Sequence, residues 1–175
     1  MKKLLYLMGL PGSGKTTLGK QLSSETGLPL IDLDTEIERA EGMPIPDIFA
    51  QKGESYFREL ESRLLKEVSK TDVKSIVSLG GGAPCFFDNI DVIKETGVSV
   101  YIQVSGEELA KRLRNHGVSD RPLLSGKEKE LGIEMEKKKE EREKYYLQAE
   151  VILSGDMLWV ENLMGNRKIQ EWMNG

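Results

Sequence analysis

Apolar residues recur along this chain in short runs, separated by glycine-bearing turns and by longer stretches of helical periodicity. The first run, Leu4 to Met8, is continuous rather than alternating, the pattern of a strand buried on both faces. Lys15 to Thr26 follows with Leu18 and Leu22 one turn apart and Gly27 placed to cap its end, which predicts a helix. A second strand is expected from Leu28 to Leu33, with Pro29 near its start, where a missing donor is tolerated. It ends in Asp32 and Asp34, alternate residues that an extended chain places on one side. Thr35 to Lys70 reads as helical with interruptions at Gly42, Pro44, Pro46 and Gly53. In its last part Phe57, Leu60, Leu64 and Val68 form one apolar stripe, while Arg58 and Glu61 are neighbours on another face.

Lys74 to Leu79 predicts a third strand, and it runs into Gly80, Gly81 and Gly82. Three adjacent glycines directly after a strand mark a place where something approaches the backbone. A helix from Asp88 to Thr96, stopped by Gly97, and a fourth strand from Val98 to Val104 come next. Ser105 and Glu108 have capping-box spacing for a helix through Leu113. From Arg114 to Gly126 periodicity is lost, glycine and proline enter and an arginine sits mid-stretch, so about 114–126 is a candidate lid. Lys127 to Lys144 holds seven basic and seven acidic residues and reads as a solvated helix. Val151 to Leu153 predicts a fifth strand. Leu158 to Met173 predicts one amphipathic helix with Val160, Leu163, Met164, Ile169 and Trp172 mostly inward. Strands alternating with helices imply an α/β fold with a parallel sheet, read as a single domain over residues 1–175, with ligands beyond the carboxyl ends of the strands.

The chemistry enters at one of those ends. Gly9 to Thr16 fits Gly-x-x-x-x-Gly-Lys-[Ser/Thr] in full, between the first strand and the first helix. Gly9, Gly12 and Gly14 supply positive dihedrals and absent Cβ atoms, so that backbone N–H groups at a helix N-terminus can curl round a phosphate. Gly12, Ser13, Gly14, Lys15, Thr16 and Thr17 are the expected nucleotide-binding residues. Lys15 reaches the β- and γ-phosphates, and Thr16 binds Mg²⁺.

Composition narrows the partners. With 25 basic and 29 acidic residues in 175, the net charge of −4 argues against nucleic acid or an anionic membrane as the main partner. No apolar run approaches the ~18 residues that span a bilayer. The start, MKKLLYLMG, reads as a strand running into the glycine-rich turn rather than as a secretory leader, so a cytoplasmic location is expected. One cysteine, Cys85, leaves no partner for an internal disulfide, and one histidine, His116, rules out a His-rich metal site.

In order, GLPGSGKTT, DLDTEIERAEGMPIPDIF with GESYFRELE, LGGG, DRPLL and REKYYLQA resemble the shikimate kinase family, within the nucleoside-monophosphate-kinase-like P-loop kinases. The resemblance covers most of the chain. It implies a three-layer α/β/α P-loop kinase fold, with a five-stranded parallel sheet in order 2-3-1-4-5, a lid, and substrate-binding helices over about 35–70. It implies ATP as co-substrate, Mg²⁺, shikimate as acceptor and a monomer. Residue by residue, Asp32 joins Thr16 at the metal, and Asp34 orients the acceptor hydroxyl and takes its proton. Arg58, oriented by Glu61, pairs with Arg142 on the carboxylate, and Gly80, Gly81 and Gly82 offer N–H groups to the acceptor. Arg121 closes over the phosphates as a catalytic lid residue beside Lys15 and Asp34, and Arg114 packs on adenine.

The chain departs from the family's pattern in two places. REKYYLQAE lacks a proline after its arginine, and SGDMLW after the last strand carries no arginine for the adenine side. Two rivals stay open on sequence: another small-molecule P-loop kinase, such as a gluconate or nucleotide kinase, and a nucleotide-binding module without turnover. LGGG with Arg58 speaks against the first. An acceptor-orienting carboxylate beside a phosphate-binding lysine speaks against the second.

Overall fold

A computed structural model of the chain describes residues 2–117, 127–154 and 159–175. Five parallel strands, β1 (Leu4–Met8), β2 (Leu30–Asp32), β3 (Ser75–Ser78), β4 (Gly97–Gln103) and β5 (Val151–Ser154), form one sheet in the order β2-β3-β1-β4-β5. β1 is central, with Leu5 opposite Ile76 of β3 on one side and Val98 of β4 on the other. All five of its residues are buried, as the unbroken apolar run requires. Each such side chain withdrawn from water contributes about 1.5–3 kcal/mol, so the strand leading into the P-loop is firmly held.

The helices follow from the order of the strands. Right-handed crossovers put α1 (Lys15–Thr26), which carries the chain from β1 out to β2, on one face of the sheet. The connections running back the other way cover the opposite face: α2 (Leu33–Glu41), α3 (Ile45–Val68), α4 (Asn89–Thr96), α5 (Gly106–Gly117) and α6 (Lys127–Tyr146). α7 (Trp159–Met164) and α8 (Arg167–Asn174) follow β5, and α7 packs on α1. Among the described residues no helix is long and apolar enough to cross a membrane.

Several elements differ from the sequence expectation, each for a local reason. β2 starts at Leu30, not Leu28, and gives way at Leu33 to α2, because Asp32 caps that helix. α3 contains the break foreseen at Gly53, whose φ of 80° interrupts the helix. Its buried stripe runs through Phe57, Leu60, Glu61 and Leu65, with Leu64 and Val68 only half-buried. Of the capping box, only half forms. Glu108 N donates to Ser105 Oγ at 3.3 Å, but the Glu108 carboxylate turns to Arg112. α5 runs on through Gly117, so the first part of the expected lid is helical; Val118 to Gly126, Arg121 included, lie outside the described residues. The single helix expected from Leu158 to Met173 is two. It breaks at Gly165, and Asn166 begins α8 by accepting a hydrogen bond from Lys168 N.

Candidate active site

The turn after β1 has the backbone its glycines allow: φ is 149° at Gly9, 80° at Gly12 and 101° at Gly14. A Cβ at Gly9 would stand 2.8 Å from Ile102 O, and one at Gly12 would stand 3.1 Å from the Leu113 side chain, so β4 and α5 press on the loop at those points. Gly14 caps α1 in the left-handed region, and Lys15 begins the helix. Lys15 is buried, and its ammonium donates to the carbonyls of Gly9 and Leu10, both at 2.9 Å. Burial lowers its pKa to about 8 against the pull of Asp34 and Asp32, with Arg142 adding to the depression. The Thr16 hydroxyl donates to Asp32 Oδ2 at 2.8 Å and lies 3.2 Å from Ser78 Oγ. Thr17 is exposed at the same helix start.

The acidic pair is built differently from the strand alternation expected of it. Asp32 ends β2 and is the N-cap of α2; its Oδ1 accepts from Asp34 N at 3.1 Å and Thr35 N at 3.4 Å. Asp34 belongs to the first turn of that helix, not to the strand. A Cβ on Gly80 would be 2.8 Å from Asp34 Oδ1, so this carboxylate rests on the backbone at the end of β3. Burial first, and then the charge of Asp32, raise the Asp34 pKa against the attraction of Lys15. A carboxylate kept more basic than usual, near enough to the Lys15 ammonium to feel its charge, suits acceptance of a proton.

The triple glycine explains itself once its neighbours are known. A Cβ at Gly80 would also meet Glu61 Oε1 at 2.6 Å, one at Gly81 would meet Pro11 Cδ at 2.7 Å, and one at Gly82 would meet Arg58 Nη1 at 2.5 Å. These residues therefore lie flat between the P-loop and the polar face of α3. Tyr146, fully buried on α6, donates its hydroxyl to Gly81 O. Arg58 Nη1 reaches Glu61 Oε2 at 2.8 Å, its other nitrogens reach Glu54 Oε1, and its guanidinium stacks 4.3 Å above the Phe86 ring and 5.0 Å from that of Phe57. Glu61 is wholly buried, and burial raises its pKa although Arg58 opposes the shift. Its Oε1 has no hydrogen-bond partner among the described residues.

Half-buried Arg142 on α6 lies close enough to Lys15, Glu61, Cys85 and Tyr146 for its charge to act on each. Burial pushes the Cys85 thiol up to about 11, which leaves it a protonated filler beside the site rather than a nucleophile.

The structure thus brings together Gly12 to Thr16, Asp32, Asp34, Arg58, Gly80 to Gly82 and Arg142. Arg114 is half-buried on α5, and Arg121 lies outside the described residues. One contact has no counterpart in the sequence reading. Arg112 Nη1 donates to Ser13 O at 3.2 Å while its Nε holds Glu108 Oε1 at 2.8 Å. The signal available in sequence was the i, i+4 pair of Glu108 and Arg112, but only packing shows which face of α5 meets the loop.

Residues 11–164 match the family model described as shikimate kinase. The shikimate kinase of Parabacteroides distasonis is 40% identical over 163 residues, covering 91% of this chain and 92% of that relative. Among solved structures, shikimate kinase from Bacteroides thetaiotaomicron is similar with a TM-score of 0.79 at 36% identity, covering 98% of this chain and 94% of the other. Shikimate kinase from Acinetobacter baumannii, in complex with shikimate, is similar with a TM-score of 0.79 at 28% identity, covering 99% and 94%.

Proposed function

We infer from its membership of the shikimate kinase family that this chain transfers the γ-phosphoryl group of ATP to the 3-hydroxyl of shikimate, a step of aromatic amino-acid (chorismate) biosynthesis. The new bond joins the acceptor oxygen to Pγ, the bond from Pγ to the bridging oxygen of ADP breaks, and the hydroxyl proton leaves. The observation that carries this reading is the junction of the P-loop and the triple glycine at Pro11 and Gly81. The loop that carries Lys15 there meets the glycines on which Asp34 and Arg58 rest, which supports one shared site.

In this reading Gly12, Ser13, Gly14, Lys15, Thr16 and Thr17 cradle the nucleotide phosphates, and Lys15 exchanges the Gly9 and Leu10 carbonyls for phosphate oxygens. Asp34 orients the acceptor hydroxyl and takes its proton as the bond to phosphorus forms. Positioning matters more than early deprotonation in a loose transition state. Arg58 and Arg142 hold the carboxylate; a guanidinium already fixed by Glu61 and two aromatic rings presents its fork with little entropy left to lose. Gly80, Gly81 and Gly82 offer N–H groups to the same substrate. Arg114 packs on the base, and Arg121 closes over the phosphates from the lid.

Thr16 and Asp32 present a hydroxyl and a carboxylate 2.8 Å apart beside the phosphate cradle, hard oxygen donors that fit Mg²⁺. The ion, when bound, neutralises charge developing on the phosphate oxygens. The residues proposed for both substrates belong to one chain, which supports a monomer, and the use of ATP supports a cytoplasmic location.

The test is ADP release from Mg-ATP by purified protein, alone and with shikimate, gluconate or nucleoside monophosphates in parallel. Stimulation by shikimate and by no other acceptor is the expected result. Equal stimulation by gluconate, or none by any acceptor with ATP still bound, overturns it.

A further inference from the structure

We infer that Arg112 is a positioning residue that fixes the Ser13–Gly14 peptide plane, so that the Gly14 N–H is turned into the phosphate cradle before any nucleotide arrives. The inference deepens the nucleotide-site reading of the P-loop and rests on it.

No peptide bond among the described residues is cis. In a trans planar peptide the carbonyl of one residue and the N–H of the next point in opposite directions. A side chain that holds Ser13 O therefore aims the Gly14 N–H away from itself. Arg112 does so from α5, with Nη1 at 3.2 Å from Ser13 O. The guanidinium is itself held, because Nε reaches Glu108 Oε1 at 2.8 Å one turn back along the same helix. The helix is fixed in turn by Leu113, which packs where a Cβ on Gly12 would stand.

The loop needs such a constraint. Gly14, at φ 101°, has no Cβ to resist rotation of the peptide before it, and Gly12 two residues earlier is equally free. Flipping the plane between two residues exchanges one turn type for another when glycine follows, at little steric cost. Ser13 N is already tied to Leu10 O at 3.1 Å, which anchors the near side of Ser13 and leaves the Ser13–Gly14 plane as the free element. The Gly14 N–H donates to no acceptor among the described residues, as expected of a group at the start of α1 that is reserved for an anion. A flipped plane would turn the Ser13 carbonyl, an electron-rich oxygen, towards the phosphates instead.

Three measurements test this on the full chain: calorimetric binding of ADP, inorganic pyrophosphate and adenosine; the ¹H–¹⁵N resonance of Gly14 in protein free of nucleotide; and thermal melting. Arg112→Met keeps the aliphatic stem and removes the donors. It is expected to weaken ADP and pyrophosphate by a similar factor, about tenfold, and to leave adenosine unchanged. It is expected to shift or broaden the Gly14 resonance in the free protein. Arg112→Lys, which retains a donor of similar reach, is expected to recover most of the affinity and the wild-type resonance. An unmoved Gly14 resonance in the methionine variant overturns the inference, since a residue that only touches the bound phosphate leaves the free loop alone. Equal weakening of adenosine overturns it too, because Arg112 would then act on the base. Failure of the unsubstituted chain to bind ADP or pyrophosphate would instead overturn the nucleotide-site reading, and the Gly14 resonance would still decide whether Arg112 sets the plane.

Discussion

Replacing Arg58 by alanine strands a buried charge, and the size and pH dependence of the damage follow from the surroundings of Glu61. That carboxylate is 0% exposed; one oxygen is held by Arg58 Nη1 at 2.8 Å and the other is unpartnered among the described residues. Removing one member of a buried pair costs about 3–5 kcal/mol, which in a domain of this size lowers the melting temperature by about 6–20 °C. Burial already raises the Glu61 pKa, and Arg58 is the first influence opposing it. Without Arg58 the folded-state pKa climbs further above the unfolded value of about 4.3. An acid shifted that way contributes its stability fully below the unfolded pKa and loses it as pH rises through the folded pKa. The penalty in Arg58→Ala is therefore largest at about pH 8 and shrinks towards about pH 5. Adding Glu61→Gln to the variant recovers part of the loss at the higher pH, because a neutral amide takes the place of the stranded carboxylate. Circular-dichroism melting of the wild type, both single variants and the double variant across that range is the assay. An equal loss at both ends of the range would refute the reasoning and assign the damage to the guanidinium's lost contact with Phe57 and Phe86. In steady-state kinetics the same variant is expected to raise the KM for shikimate far more than that for ATP.

Lys15→Met is expected to abolish transfer while the protein stays folded, since the substitution removes a desolvated cation and keeps its stem; near-normal turnover would refute the P-loop assignment. With only protein groups around it Lys15 sits at about 8, and a phosphate partner raises that value, so binding takes up a proton above it. ADP affinity in the wild type should be level below about pH 8 and fall by up to tenfold per unit above it, and a flat calorimetric profile to about pH 10 would contradict this. Asp34→Asn should lower kcat and leave ATP binding intact; a large loss of ATP affinity would make Asp34 a metal ligand instead. Gly80→Ala drives a methyl to 2.6 Å from Glu61 Oε1 and 2.8 Å from Asp34 Oδ1. It should cost about 1–3 kcal/mol in melting experiments together with turnover, and an unaffected kcat would mean that Asp34 can move without consequence.

What could be read in the sequence was whatever is encoded within a few residues. The P-loop was legible because each glycine answers to its own dihedral, and β1 because five consecutive apolar residues have few other places to go. The sheet order came from family resemblance, since nothing in the spacing says on which side of β1 the fourth strand falls. Asp34 was set on a strand because two alternating aspartates fit a period of two. The competing local chemistry, an aspartate two residues earlier capping a helix, won. The break between α7 and α8 was hidden because Leu163, Met164, Ile169 and Trp172 keep helical spacing across it, although Gly165 and Asn166 are both helix-ending residues. Arg112 was illegible for a different reason: its contact depends on which face of α5 the P-loop touches, and that is decided by tertiary packing on Gly12.

Asp32 also sets a limit on how this chain can vary. One of its oxygens starts the helix that carries Asp34, and the other receives the Thr16 hydroxyl. Among substitutes, asparagine caps helices about as well but brings no charge, whereas glutamate keeps the charge and is a poor cap. Drift at position 32 is thus blocked from two directions, and a lineage with no use for the charge would still need a capping residue there. Tolerance at this site should be narrower than at Asp34, whose side chain closes no helix.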